Sequence, residues 1–254
     1  MTRRSFVYLA LAALLTLVPT WRVLAQPFGS APATPYVRPE FARLMQELRP
    51  AILAAATRHN RPEVSGMTDR EFAVVIALLL YNEHFGWVED ELPPLRALTP
   101  LYQAVQVDVN LLGGNLSVWP SNLRPSVAEE ILRREVPVRG GVIERPLVVS
   151  GSRIDLAAYA DERARNAAIT AEITRPELAV EYLAANLERG LYRAQYEGVP
   201  VTWHTLAAWH NQGIVAPADI RENPTARDYI RRTAAYVPVA EALIGDGYAA
   251  LHDM

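Results

Sequence analysis

The clearest pattern in the chain is the apolar run from Phe72 through Tyr81, which closes on Asn82 and Glu83. Thr68-Asp69-Arg70-Glu71 stands directly before it and reads as a capping box, so the run should be a helix in spite of the β-branched Val74, Val75 and Ile76. An earlier helix is predicted over Glu40–Arg58, with Phe41, Leu44, Leu48, Ile52 and Ala55 on one face and Pro50 as a kink or break. Prolines and glycines at 93, 94, 100, 113 and 114 divide residues 86–116 into short pieces. Ser126 and Glu129 suit a second capping box, for a helix running to about Arg134. Valines, Ile143 and Leu147 around Gly140-Gly141 predict a β-hairpin over 136–154. A long helix should start at Thr174, with Pro176 and Glu177, and reach Tyr196 on a stripe of Leu183, Leu187 and Leu191. Thr202–Gln212 reads as a shorter helix stopped by Gly213, and a last one begins at Thr225 and Asp228 and is disturbed by Pro238. The fold class is mainly α with a small β-hairpin insertion.

The two ends of the first forty residues change that picture. Arg3 and Arg4, the apolar stretch Phe6–Val18 and Val23-Leu24-Ala25 read as a cleavable export signal over residues 1–25. The Arg-Arg opening also fits a twin-arginine signal. Pro19 and Arg22 leave the stretch short for a membrane span. Residues 26–39 hold four prolines and read as a flexible linker. Residues 40–254 are then one domain carrying the hairpin. Export would place the protein in the periplasm, the cell envelope or outside the cell.

Charge and composition exclude several classes. The chain has 25 basic and 28 acidic residues, and removing Arg3, Arg4 and Arg22 with the signal leaves a net charge near −6. That argues against a nucleic-acid partner, which needs a basic surface. With no cysteine, neither disulfides nor thiol chemistry contribute. His-Glu-x-x-His is absent, and His204 and His210 are six residues apart, on different sides of a helix, so no metal site is expected.

Glu83 carries the candidate chemistry. On a helix it shares a face with Phe72, Ile76 and Leu79. A carboxylate held against apolar surface resists ionising, and a protonated carboxylic acid near neutral pH is a ready general acid. The bland alternative is a helix-end salt bridge with a nearby arginine. Ser117 could be a turn or cap residue, Asn211 beside Gly213 could be helix-stop chemistry, and Trp203 and Trp209 could stack on sugars or fill core.

Three pieces carry a family resemblance in their shared order. Ile76–Glu83 is similar to the helix that ends in the catalytic Glu of lytic transglycosylases, a lysozyme-like family. Ser117-Val118-Trp119-Pro120-Ser121-Asn122-Leu123-Arg124-Pro125-Ser126-Val127-Ala128 resembles the family's Ser-x-Gly-x-x-Gln-Ile-x-Pro-x-Thr-Ala segment. Ala207-Ala208-Trp209-His210-Asn211-Gln212-Gly213 is similar to the Ala-Tyr-Asn-x-Gly turn lining the substrate groove, and Tyr229-Ile230 resembles the Tyr-Val step of the closing helix. The chain departs from the pattern at Trp119, where the family has Gly, and at Asn122, where Gln is usual. It also has 33 residues between Glu83 and Ser117, and the added hairpin.

The resemblance implies cleavage of the β-1,4 bond between N-acetylmuramic acid and N-acetylglucosamine in peptidoglycan. Glu83 would be the general acid and then the base, giving 1,6-anhydro products. Ser117, Asn122, His210, Asn211 and Tyr229 would bind the sugar or hold the acid. Glycan strands would be the partner, no cofactor is implied, and a monomer is expected. A hydrolytic lysozyme is the near alternative and needs a second carboxylate about 5–9.5 Å away; Glu89, Asp90, Glu91 and Asp108 are the candidates by number, or charges on a solvated loop. An inactive peptidoglycan-binding module and a structural envelope protein stay open beside it.

Overall fold

The computed structural model describes residues 35–245. The signal reading of 1–25 and most of the linker lie outside them. The described chain is mainly helical: α1 Pro39–His59, α2 Pro62–Ser65, α3 Asp69–Glu83, α4 Gly86–Glu91, α5 Thr99–Leu111, α6 Pro125–Leu132, α7 Glu162–Ile173, α8 Pro176–Glu197, α9 Trp203–Gln212, α10 Pro217–Glu222, α11 Pro224–Ala234 and α12 Val237–Ile244. One antiparallel hairpin interrupts the series, β1 Glu135–Val138 paired with β2 Gly141–Glu144.

Helix α3 is the axis of the fold. Thr68 caps it in the expected box: its hydroxyl accepts from the Glu71 amide at 3.2 Å and the Glu71 carboxylate accepts from the Thr68 amide at 2.6 Å. Every residue from Phe72 to Glu83 is buried. A helix that is apolar all round must be surrounded on all sides, and α1, α4, α8, α11 and α12 pack against it. Glu83 therefore lies at the end of a fully buried rod rather than on one apolar face.

Two apolar clusters meet at α8. Val180, Leu183, Leu187 and Leu191 join α1 and α3 in the larger one. Leu178, Tyr182 and Ala185 join Val118, Leu123, Ala128, Ile131, Ile169 and Ile173 in the smaller one. Helix α9 lies close on α8 because Gly190 has no Cβ; one built there would meet the Leu206 side chain at 3.0 Å. Trp203 and Trp209 are core residues, 4% and 1% exposed, so they do not present rings for stacking on sugars. Buried polar groups tie the helices further. His59 in α1 sits between Glu188 at 2.8 Å and Glu181 at 3.2 Å in α8.

Several boundaries differ from the sequence reading. Helix α1 runs through Pro50 without ending. Thr174 ends α7 instead of starting α8; its hydroxyl donates to the Thr170 carbonyl at 2.8 Å, and Pro176 takes the first turn of α8 behind Arg175. Helix α7 was not expected, although Asp161 caps it by accepting from the Arg163 and Ala164 amides. Ser126 is not a cap: Pro125 opens α6, where a missing N–H leaves nothing unsatisfied, and the Ser126 amide donates to Asn115 Oδ1 at 3.0 Å. The hairpin stops at Glu144; Leu147 and Val149 are buried while Val148 is exposed, an extended run with no strand beside it. Pro238 opens α12 rather than disturbing α11.

Candidate active site

Glu83 ends α3 with only 7% of its surface exposed. Its two oxygens are held by groups from three distant segments. Asn122 Nδ2 donates to Oε2 at 2.7 Å. The Tyr229 hydroxyl, from α11, donates to Oε1. His210 Nε2, from α9, stands 3.6 Å from Oε1 with its side chain 2% exposed. The side chain of Asn82 hydrogen-bonds Tyr229 in turn. Four of the six expected site residues thus meet at one carboxylate.

Local structure explains each placement. Tyr229 faces inward because α11 packs on both α3 and α9. Burial pushes its hydroxyl well above the ordinary tyrosine range, and the Glu83 charge pushes it further. It therefore stays a neutral hydrogen-bond donor across the working pH range. Asn122 has a φ of 54°, in the left-handed region that asparagine tolerates better than most residues. The turn carrying it is closed by the Val118 amide donating to the Leu123 carbonyl at 2.9 Å. Trp119 does not occupy the left-handed region, so its backbone conformation does not call for a glycine. Its ring instead packs beside Phe41, 6.2 Å between centroids.

Two asparagines that the sequence reading passed over fix this turn. Asn110 clamps Leu116 from both sides, with Nδ2 on its carbonyl and Oδ1 on its amide, both at 2.7 Å. Asn115 brackets Ser126 in the same way, its Nδ2 donating to the hydroxyl at 2.8 Å. The only sequence signal was their position around Gly113-Gly114. Asn82 also went unnoticed, since its role needs Tyr229 from across the fold.

Ser117 and Asn211 do not join the cluster. Ser117 lies on the turn with Asn122, but its side chain makes no hydrogen bond to Glu83. Asn211 is exposed and accepts from its neighbour Gln212, because the helical step from His210 turns it outward. The proposed second carboxylates also need correction. Glu89 is not on a solvated loop: it is 0% exposed and faces Arg38 at 3.5 Å. Asp90, Glu91 and Asp108 are exposed.

The surroundings of Glu83 keep unused hydrogen-bonding capacity. Among the described residues, His210 Nδ1, Trp119 Nε1 and Asn82 Oδ1 are buried without a hydrogen-bond partner. His84, next in the chain, is buried and stacks on Phe41 at 4.5 Å. Burial lowers its pKa to about 4, against the pull of its bond to the Tyr81 carbonyl. A cavity of about 650 Å³ lies elsewhere, between β1 and the segment after α9, lined by Val138, Arg193, Ile214 and Pro217 among others, with no expected site residue on its wall. Among the described residues no group of His, Asp and Glu could hold a metal ion.

No protein-family model matches this chain, and neither a curated protein nor a solved structure gives a match.

Proposed function

We propose that the protein cleaves the β-1,4 bond between N-acetylmuramic acid and N-acetylglucosamine in peptidoglycan, with Glu83 as general acid and base. The observation that carries this reading is the convergence of Asn122, Tyr229 and His210 on one carboxylate at the end of an apolar helix. The motif resemblance supplies the substrate class. In the first step Glu83 passes its proton to the glycosidic oxygen as the bond to the muramoyl C1 breaks. In the second the carboxylate takes the proton of the muramoyl C6 hydroxyl, whose oxygen closes on C1. The acid is restored and a 1,6-anhydro end is formed. Tyr229 and Asn122 hold the carboxylate in place through both proton transfers, and this positioning is what a buried hydrogen-bonded shell provides.

One observation favours a second reading. Glu83 is 7% exposed, which also fits a polar hub that holds α3, α9 and α11 together in an inactive envelope protein. Digestion of purified sacculi by the wild type and by Glu83→Gln, with mass analysis of the fragments, separates the two. Anhydro ends that vanish in the Gln variant support transglycosylation. Reducing ends would point to hydrolysis. No cleavage by a folded wild type would sink the enzyme reading.

A further inference from the structure

Helix α5 is packed inside out. Its buried side chains are polar: Thr99, Gln106 and Asn110 are 8%, 2% and 0% exposed. They bond within the segment, Thr99 to the Leu95 carbonyl, Gln106 to the Tyr102 hydroxyl and Asn110 to Leu116, while α5 packs on α7. Val107 packs against the smaller core, but most of the other apolar side chains of α5 and its two ends are exposed. Leu98, Leu101, Val109 and Leu112 are 40%, 45%, 37% and 70% exposed. The flanking Leu92 and Leu116 are 48% and 42% exposed. The steps between Leu98, Leu101, Val109 and Leu112 are multiples of three and four residues, so these side chains share one side of the helix. An apolar surface of this kind, gathered on one element and not scattered, marks a contact with another apolar phase.

Two features of the segment point to that phase. First, the whole segment 92–116 carries only Arg96 and Asp108 as charged residues, so the surface is neutral and has no pattern to read a charged protein partner. Second, Tyr36, shortly before α1, lies beside it. The Arg96 guanidinium covers the Tyr36 ring at 3.9 Å, which holds this stretch against the segment that leads into α5. Upstream of Pro35 stands the apolar run Phe6–Val18 behind Arg3 and Arg4, a sequence suited to meeting a bilayer for as long as it stays on the chain. The intervening residues 19–34 reach about 50 Å when extended. An arginine and a tyrosine at the border of an apolar face also match the interfacial level of a bilayer.

We propose that the exposed face of α5, with Leu98, Leu101, Val109 and Leu112, lies on a lipid bilayer and sinks its leucines into the boundary between headgroups and acyl chains. The neutral surface makes this attachment hydrophobic, so it holds on zwitterionic lipid and withstands salt. The inference is independent of the chemistry proposed for Glu83.

The absence of cysteine gives a clean test. Full-length protein carrying a single Leu101→Cys or Leu112→Cys is labelled with an environment-sensitive fluorophore and mixed with phosphatidylcholine vesicles. Val148→Cys and Tyr196→Cys, at exposed positions outside this segment, serve as controls. The expected result is a blue shift at 101 and 112, quenched by lipid-borne quenchers, unchanged in high salt and absent at 148 and 196. Vesicles that sediment with the protein while 101 and 112 keep a water-like emission would overturn the proposal, leaving the N-terminal run as the sole attachment. A blue shift without vesicles would overturn it too. If that shift grows with protein concentration, the face covers a second copy; if it does not, the face is covered by the protein's own chain.

Discussion

Helices α3 and α5 are near in length, 15 and 13 residues, and both are rich in apolar side chains, yet they are packed in opposite senses. Helix α3 buries its whole apolar run and presents a single carboxylate at its end. Helix α5 turns Gln106 and Asn110 inward and its leucines outward. The difference lies in what surrounds them. Helix α3 has neighbours on every side, whereas α5 rests chiefly on α7 and the turn before it. Apolar content states how much surface seeks cover; the available neighbours decide which surface receives it.

The largest test of this contrast concerns the chemistry that α3 holds. Glu83→Gln keeps nearly the same shape and removes the proton donor, and sacculus cleavage should fall by about 10²–10⁴-fold, the range typical of general acid–base catalysis. Assay of released fragments with a folded variant measures it. The next effect compares the helices directly. Ile76→Ala in α3 should cost about 2–5 kcal/mol of unfolding free energy, while Leu101→Ala in α5 should stay within about 0.5 kcal/mol. Denaturant melts of the two variants give the difference, and equal losses would contradict the inverted packing of α5.

His84, just past the end of α3, adds a pH dependence. Its pKa is depressed from 6.5 to about 4 in the folded state by burial, so the unfolded chain binds the proton first as pH falls. The stability from the neutral ring is complete above pH 6.5 and lost as pH falls towards 4, by about 3 kcal/mol in all. Denaturant midpoints across that window should drop in the wild type and drop less in His84→Phe. Tyr229→Phe takes the hydroxyl from Glu83 Oε1 and should cost about 1–3 kcal/mol, the penalty of a buried acceptor left without its donor. Its cleavage rate should fall with it, since the carboxylate loses one of its supports. The smallest effect is at the start of α3, where Thr68→Ala should cost about 1 kcal/mol through the lost cap, read as a lower thermal midpoint.

The parts of the fold that were legible in the sequence are those with a local cause. The Thr68–Glu71 box, the stripe on α8 and the stop at Gly213 each depend on residues within a few positions of one another, and all are present. The hairpin was legible at Gly140-Gly141 but overextended, because Leu147 and Val149 are buried around an exposed Val148 as in a strand, yet pair with none. Helices α5 and α7 were missed for related reasons. One has its polarity reversed, and the other mixes alanine with charge and shows little periodicity. At the candidate site, Glu83, Asn122, His210 and Tyr229 stand out from motif order and the fold draws them together, whereas Ser117 shares the motifs without bonding Glu83 and Asn211 is exposed.

By itself the amino-acid order determined the mainly helical character, the cap at Thr68 and the identity of the one carboxylate at the end of the most apolar run. Those are short-range matters of backbone geometry and periodicity. Only the tertiary structure decided that Glu83 is enclosed, that Asn122 and Tyr229 take its two oxygens from 39 and 146 residues away, and that α5 shows its leucines to the outside. Such contacts depend on which helices find each other, and no local pattern records that choice.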